Sequence, residues 1–180
     1  MNNKKILALL VGAVMLFLLI FEVRISGPST LEEAMDEAGI SDIEVLHSEL
    51  INIHKKDYIV FYKLRDLRGI RVGLANKNEY TGWKWEQNLG DIRRITDLGK
   101  EMTYEYVSLP EKDYAVLFGA IANPKINTVT VGYSYDSLQK FSNIIEINDE
   151  LSVWFTDWRL DDRNISVRAK GKEYFILTEI

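Results

Sequence analysis

Residues 6–21 read ILALLVGAVMLFLLIF, sixteen positions with no charge and no strongly polar side chain. A globular surface helix needs a polar face, and this run has none. At about 1.5 Å of rise per residue, a helix over residues 6–23 covers about 27 Å. A hydrocarbon core is about 30 Å thick, and snorkelling and local thinning absorb the shortfall. Lys4 and Lys5 precede the run, and no basic residue follows until Arg24. Positive charge at that end holds the N-terminus in the cytoplasm. The expected order is a cytoplasmic stretch 1–5, a transmembrane anchor 6–23 in the bilayer and a short hinge 24–29. An extracytoplasmic domain 30–180 follows, so the protein is expected at the cell membrane as a single-pass chain.

A cleaved signal peptide is the competing reading. It requires small residues one and three positions before the cut. After Phe21 the chain runs EVRISGPST. A cut after Gly27 puts Ile25 at the third position, and a cut after Ser29 places Pro28 between Gly27 and Ser29. Neither suits the enzyme, and the uncleaved signal-anchor is preferred. With no cysteine in the chain, a lipid-modified anchor, disulfides and thiolate chemistry are all excluded.

About 150 residues remain after the anchor, enough for one domain with its own core. Setting aside the two positive charges of Lys4 and Lys5 takes the formal net charge from −5 to −7. An acidic domain does not suit nucleic acid, which calls for a basic face.

Gly27 and Pro28 lie in the hinge, and Thr30 opens a helix. Thr30 and Glu33 have capping-box spacing. Leu31, Ala34, Met35 and Ala38 form one apolar face, and Gly39 stops the helix. After Gly39 the apolar period shifts towards two. Strands are expected around Ile43 and Val45, over 58–64, 71–75, 80–85 and 102–109. Others follow over 114–121, 129–135, 141–147, 151–158, 165–169 and 174–177, with residues 91–99 ambiguous. In residues 129–135 the side chains of Val129, Val131, Tyr133 and Tyr135 share a face, the mark of a half-buried strand. Many short strands with turn residues between them predict a mainly β domain, a sandwich or partly open barrel with one short N-terminal helix. The alternative is an α+β fold. One continuous core is expected, with a seam near Pro110 as the other arrangement.

LEEAM, VLHSEL, YIVFY and TGWKW, followed by FGAIANPKINTVTV and ISVRAKGKEYF, carry a resemblance. The chain resembles small membrane-tethered extracytoplasmic proteins of Bacillus-type Gram-positive bacteria. The resemblance implies location and fold class, and it brings no catalytic residues.

Chemistry is sparse. His47 and His54 are seven apart, an odd spacing that puts them on opposite faces of a strand. No metal or cofactor is expected. Ser134 in GYSYD lacks the second glycine of a nucleophile elbow. Asp157, Asp161 and Asp162 lack calcium-loop spacing. The strongest remaining candidates are tryptophans: Trp83 with Trp85, and Trp154 with Trp158, each pair sharing a strand face. They serve either as core or as platforms for sugar rings. On the helix, Glu32, Glu33, Asp36 and Glu37 form an acidic face, either simply solvated or a docking surface for a basic partner. The expected function is a membrane-anchored extracytoplasmic binding or regulatory module without catalytic activity, acting on another membrane or envelope protein. The alternative is a cell-wall glycan-binding or glycan-hydrolysing domain.

With an N-terminal tag, the full chain should stay in the membrane fraction. Appearance in the medium of a form lacking about 25 residues, the length of a signal peptide, overturns the anchor.

Overall fold

The computed structural model describes residues 11–15, 27–52, 54–65, 69–92, 101–133, 139–159, 165–169 and 172–176. Of the expected anchor, residues 11–15 are helical and exposed, and the rest lies outside the described residues. Among the described residues no helix is long and apolar enough to cross a membrane.

The domain is mainly β. Among the described residues, helix α1 (Leu31–Glu37) precedes twelve strands. These are β1 (Ile43–Asn52), β2 (Asp57–Leu64), β3 (Ile70–Asn78), β4 (Gly82–Ile92), β5 (Glu105–Leu109) and β6 (Tyr114–Ile121). Then come β7 (Val129–Tyr133), β8 (Gln139–Phe141), β9 (Asn143–Asn148), β10 (Leu151–Arg159), β11 (Ile165–Ala169) and β12 (Lys172–Ile176). They form three four-stranded sheets, in the orders β1-β2-β3-β4, β5-β6-β10-β9 and β12-β11-β7-β8. Every pairing is antiparallel.

Strand alternation decides how the sheets stack. On β2, Ile59 and Phe61 point into a core shared with Val116, Phe118, Val153 and Phe155 of the second sheet. Their neighbours Val60 and Tyr62 point the other way, beneath Leu31 and Met35 of α1. On the far face of the second sheet, Leu117, Ile121 and Trp154 meet Val129, Val131, Ile165 and Val167 of the third. The layers therefore run helix, first sheet, second sheet, third sheet. All eight residues of β6 are buried, because the second sheet is covered on both sides.

Most expected strands are found where apolar residues alternate, but the one expected over 141–147 is divided at Ser142 between β8 of the third sheet and β9 of the second, and two others run further than their pattern indicates. β4 continues through the polar stretch EQNLGD to Ile92, taking in the first two of the ambiguous residues 91–99. β1 extends across HSEL to Asn52. Both are edge strands with register shifts against their single neighbour. An edge strand facing water has no need of a clean period of two. Residues 93–100, 134–138 and 160–164, which include Ser134, Tyr135, Asp161 and Asp162, lie outside the described residues. Pro110 starts a 3-10 turn, Pro110–Lys112, between the paired strands β5 and β6. It therefore sits inside a hairpin, and the step from first to second sheet falls after Ile92.

One polar group sits deep between the first two sheets. Asp57, at the start of β2, is fully buried. Its Oδ1 accepts from Lys112 Nζ at 2.8 Å and Asn76 Nδ2 at 3.1 Å. Its Oδ2 accepts from the Tyr114 hydroxyl at 2.8 Å. Lys112 and Tyr114 come from the β5–β6 hairpin, so the carboxylate fastens one sheet to the other. A buried carboxylate is tolerated only when paired and hydrogen-bonded. Lys55 Nζ continues the network, donating to the Lys112 carbonyl and lying 3.6 Å from Asp113. Burial, and next the hydrogen bond to Asp57, push the Tyr114 phenol above its ordinary pKa.

Asp57→Ala should cost about 3 kcal/mol by stranding the half-buried Lys112 ammonium, read as a loss in chemical-denaturation stability. Tyr114→Phe should cost about 1–2 kcal/mol at neutral pH, through a lost bond to a buried acceptor. It should also flatten the alkaline limb. In the parent, the unfolded chain gives up this proton near pH 10 while the folded chain keeps it. The group's contribution is complete below that pH and falls by about 1.4 kcal/mol per pH unit above it. An unchanged alkaline slope in Tyr114→Phe would refute the assignment.

A groove between the first helix and an edge strand

Helix α1 owes its short existence to its cap and its packing. Thr30 Oγ1 accepts from the Glu33 amide at 3.1 Å. Glu33 Oε2 accepts in return from the Ser29 amide at 2.8 Å, the Ser29 hydroxyl at 2.9 Å and the Thr30 amide at 3.3 Å. These bonds, the Ser29 hydroxyl first, hold the Glu33 carboxyl below its ordinary pKa. Leu31, Ala34 and Met35 are buried against the first sheet, as their spacing predicts. Ala38, expected on the same face, is exposed. It caps the helix with non-helical backbone, which swings it off the apolar stripe.

Trp83 and Trp85 share the face of β4 beneath this helix and are half-buried. The Trp85 indole lies over Gly73 so closely that a Cβ there would fall 2.1 Å from the ring. It meets the Tyr62 ring edge-on at 5.6 Å. Trp83 meets Tyr58 at 4.8 Å, with Lys77 Nζ 4.9 Å from its ring centre. Across from the indoles the helix and its C-cap present Ala34, Glu37 and Ala38. Two small side chains one helical turn apart leave a gap that larger ones would close. The result is an open groove of about 370 Å³, lined by Pro28, Ala34, Glu37, Ala38, Thr81, Trp83, Lys84 and Trp85.

The expected hinge contributes to its wall. The Pro28 carbonyl accepts from the Trp83 amide at 2.8 Å. Gly82, at a φ of +74°, approaches so near that a Cβ on it would lie 2.2 Å from that carbonyl oxygen. From Gly27 onwards the chain is docked on the β3–β4 turn, and residues 24–26 lie outside the described residues.

The other candidates scatter. Trp154 is fully buried, and its Nε1 donates to the Thr103 carbonyl at 3.1 Å. It is core, not a sugar platform, because β10 runs through the middle of the second sheet. Trp158 is half-buried against Tyr133, ring centres 5.5 Å apart. This pair faces the third sheet, two layers away from Trp83 and Trp85. Asp157 is paired with Lys140, whose Nζ also reaches the Asp157 carbonyl at 3.1 Å. His47 Nε2 lies 3.2 Å from Glu49 on β1, and His54 sits in the following turn. Among the described residues no three metal-capable side chains gather.

Of the acidic residues, Glu32, Asp36 and Glu37 are exposed on α1, with Glu37 at the groove. Glu33 is occupied in the cap and is no free docking charge. The groove itself joins Trp83, Trp85 and Glu37 from the sequence-derived candidates with Pro28, Ala34, Ala38 and Thr81, which that reading passed over as binding residues. The small pair Ala34 and Ala38 is visible in the sequence, but nothing in it shows that the tryptophans lie opposite. No protein-family model, curated protein or solved structure matches the chain.

Met35→Ala should lower stability by about 2–5 kcal/mol, since a fully buried side chain leaves a cavity. Reversing Glu32, Asp36 and Glu37 to lysine should leave the melting temperature nearly unchanged, because exposed charges contribute little. Glu33→Lys alone should lower it, and Thr30→Ala should cost about 1 kcal/mol. Equal melting of Glu33→Lys and the triple reversal would remove the capping argument.

Proposed function

We propose that the protein is a membrane-anchored extracytoplasmic binding module without catalytic activity. Residues 6–23 hold it in the cell membrane, and the stacked sheets form a sandwich on the outer side. Its α1–β4 groove takes a segment of another membrane or envelope protein. The observation that carries this reading is the meeting of two half-buried indoles with an acidic helix beside Pro28, just after the expected hinge enters the domain. Indoles in a groove accept an apolar or proline-containing segment, and exposed Trp and Tyr rings are favoured anchors at interfaces. Glu32, Asp36 and Glu37 complement basic residues flanking that segment, which speeds association and makes it salt-dependent.

The paired indoles also support a second reading, a cell-wall glycan stacked on Trp83 and Trp85. Hydrolysis of a glycan calls for two carboxyls across the bond, and among the described lining residues Glu37 is the sole carboxylate. The glycan reading is therefore one of binding.

A photo-crosslinker at Lys84 in the full chain, activated in native membranes, should yield a protein adduct. One at Glu150, in the exposed β9–β10 turn, should not. Ala38→Leu, which fills the groove from an exposed position, should abolish the adduct. The triple lysine reversal should weaken it and reduce its salt dependence. Equal adducts from both positions would refute the groove as the docking site. Co-sedimentation with insoluble cell wall, lost in Ala38→Leu, would favour the glycan.

A further inference from the structure

The β3–β4 turn, residues 79–81, carries the most exposed large apolar side chain among the described residues, Tyr80, at 83%. The turn is built, not frayed. Asn78 Oδ1 accepts from the Tyr80 amide at 2.8 Å and the Thr81 amide at 3.4 Å. Lys56 Nζ pairs with Glu79, and this bond pulls the Glu79 carboxyl below its ordinary pKa. The charge beside Tyr80 is thereby neutralised. Gly27 and Pro28 clamp the same turn from the other side: a Cβ on Gly27 would fall 2.2 Å from the Thr81 carbonyl oxygen.

We infer that this turn rests on the bilayer surface, with the Tyr80 ring at the depth of the lipid headgroups. The inference depends on the membrane-anchor reading above. The chain length leaves little alternative position. From Val23 to Gly27 there are four steps, which span at most about 14 Å. Headgroup layers add about 5–8 Å beyond the hydrocarbon on each side. A turn held to Gly27 and Pro28 is thus confined to the neighbourhood of that layer. Tyrosine suits it, with an apolar ring and a polar tip, and aromatic belts mark membrane interfaces. The acidic face of α1 starts from the same segment. Anionic headgroups repel it, which tips the turn and not the helix towards lipid. The partner is the phospholipid surface as such, held through the tether, with no requirement for anionic lipid. Seated this way, the groove opens beside the bilayer, where a membrane protein's juxtamembrane segment lies.

The chain has no cysteine, so single labels are clean. Three full-length variants carry a fluorophore at Val14→Cys, Glu79→Cys or Phe141→Cys. Phe141 is 73% exposed on an edge strand of the third sheet, across the stack. Each is reconstituted in phosphatidylcholine vesicles, with and without phosphatidylglycerol, containing lipids that carry a nitroxide on the headgroup. The label at 79 should be quenched several-fold more than the label at 141 in both mixtures. Adding Tyr80→Ser should reduce that difference. Equal quenching at 79 and 141, with the label at 14 quenched by acyl-chain nitroxides, overturns the inference and leaves the anchor standing. Failure of acyl-chain nitroxides to quench the label at 14 overturns the anchor and the inference together.

Discussion

Strand β6 has no solvent face. Tyr114, Val116, Phe118 and Ala120 point into one core and Leu117 and Ile121 into another, with all eight residues buried. A strand in that position must be apolar on both sides and must have every backbone group paired. It obtains the pairing from β5 on one side and β10 on the other. Only a middle layer asks this of a strand, so the burial of β6 requires both the first and the third sheets. The molecule has no cysteines and relies on this double core in place of covalent staples.

The Asp57 node supplies what apolar packing lacks. Hydrophobic contact between two sheets tolerates sliding; a carboxylate with three donors does not. Lys112 reaches Asp57 from the 3-10 turn of one hairpin and Tyr114 from the first residue of its strand β6, while Asn76 reaches it from the next strand of its own sheet. The node ties the start of β2 to the β5–β6 hairpin at one place along the interface between the two sheets.

Sequence patterning revealed the central strands and cut short two of the edges, β1 and β4. YIVFY and YAVLFGAI are runs that only buried strands tolerate; Val129 and Val131 face a core as their alternation indicates, but Thr130 and Gly132 on the other face are buried too, so β7 is not the half-buried strand expected. The polar stretches of β1 and β4 concealed strands because an edge is paired once and bathed on the other side. The same distinction separates the tryptophans. Trp154 and Trp85 look alike in sequence, yet a central strand swallowed one and an edge strand left the other half in water. The groove was illegible because it depends on which sheet face the helix covers. Two alanines and two tryptophans some fifty residues apart in sequence do not declare that they face each other. The docking of Gly27 and Pro28 was hidden too, since a Gly-Pro pair reads as freedom when nothing shows what it touches.

The three sheets are also drawn differently from the chain. The first is contiguous, β1 through β4 in order, while the other two are threaded through each other: β5 and β6 in one, β7 and β8 in the other, then back again for β9 and β10, and out for β11 and β12. During synthesis, the first sheet and its helix are complete once residue 92 has emerged. Yet β6 cannot find β10 until residues 151–159 arrive. In that interval Ile59, Phe61, Val72 and Leu74 display a finished apolar surface with nothing on it, the kind of surface that invites aggregation. Truncations should show the same asymmetry. Loss of the last strands strips one side of the middle sheet, while loss of β10 leaves the contiguous sheet as a half-built protein with a permanent open face.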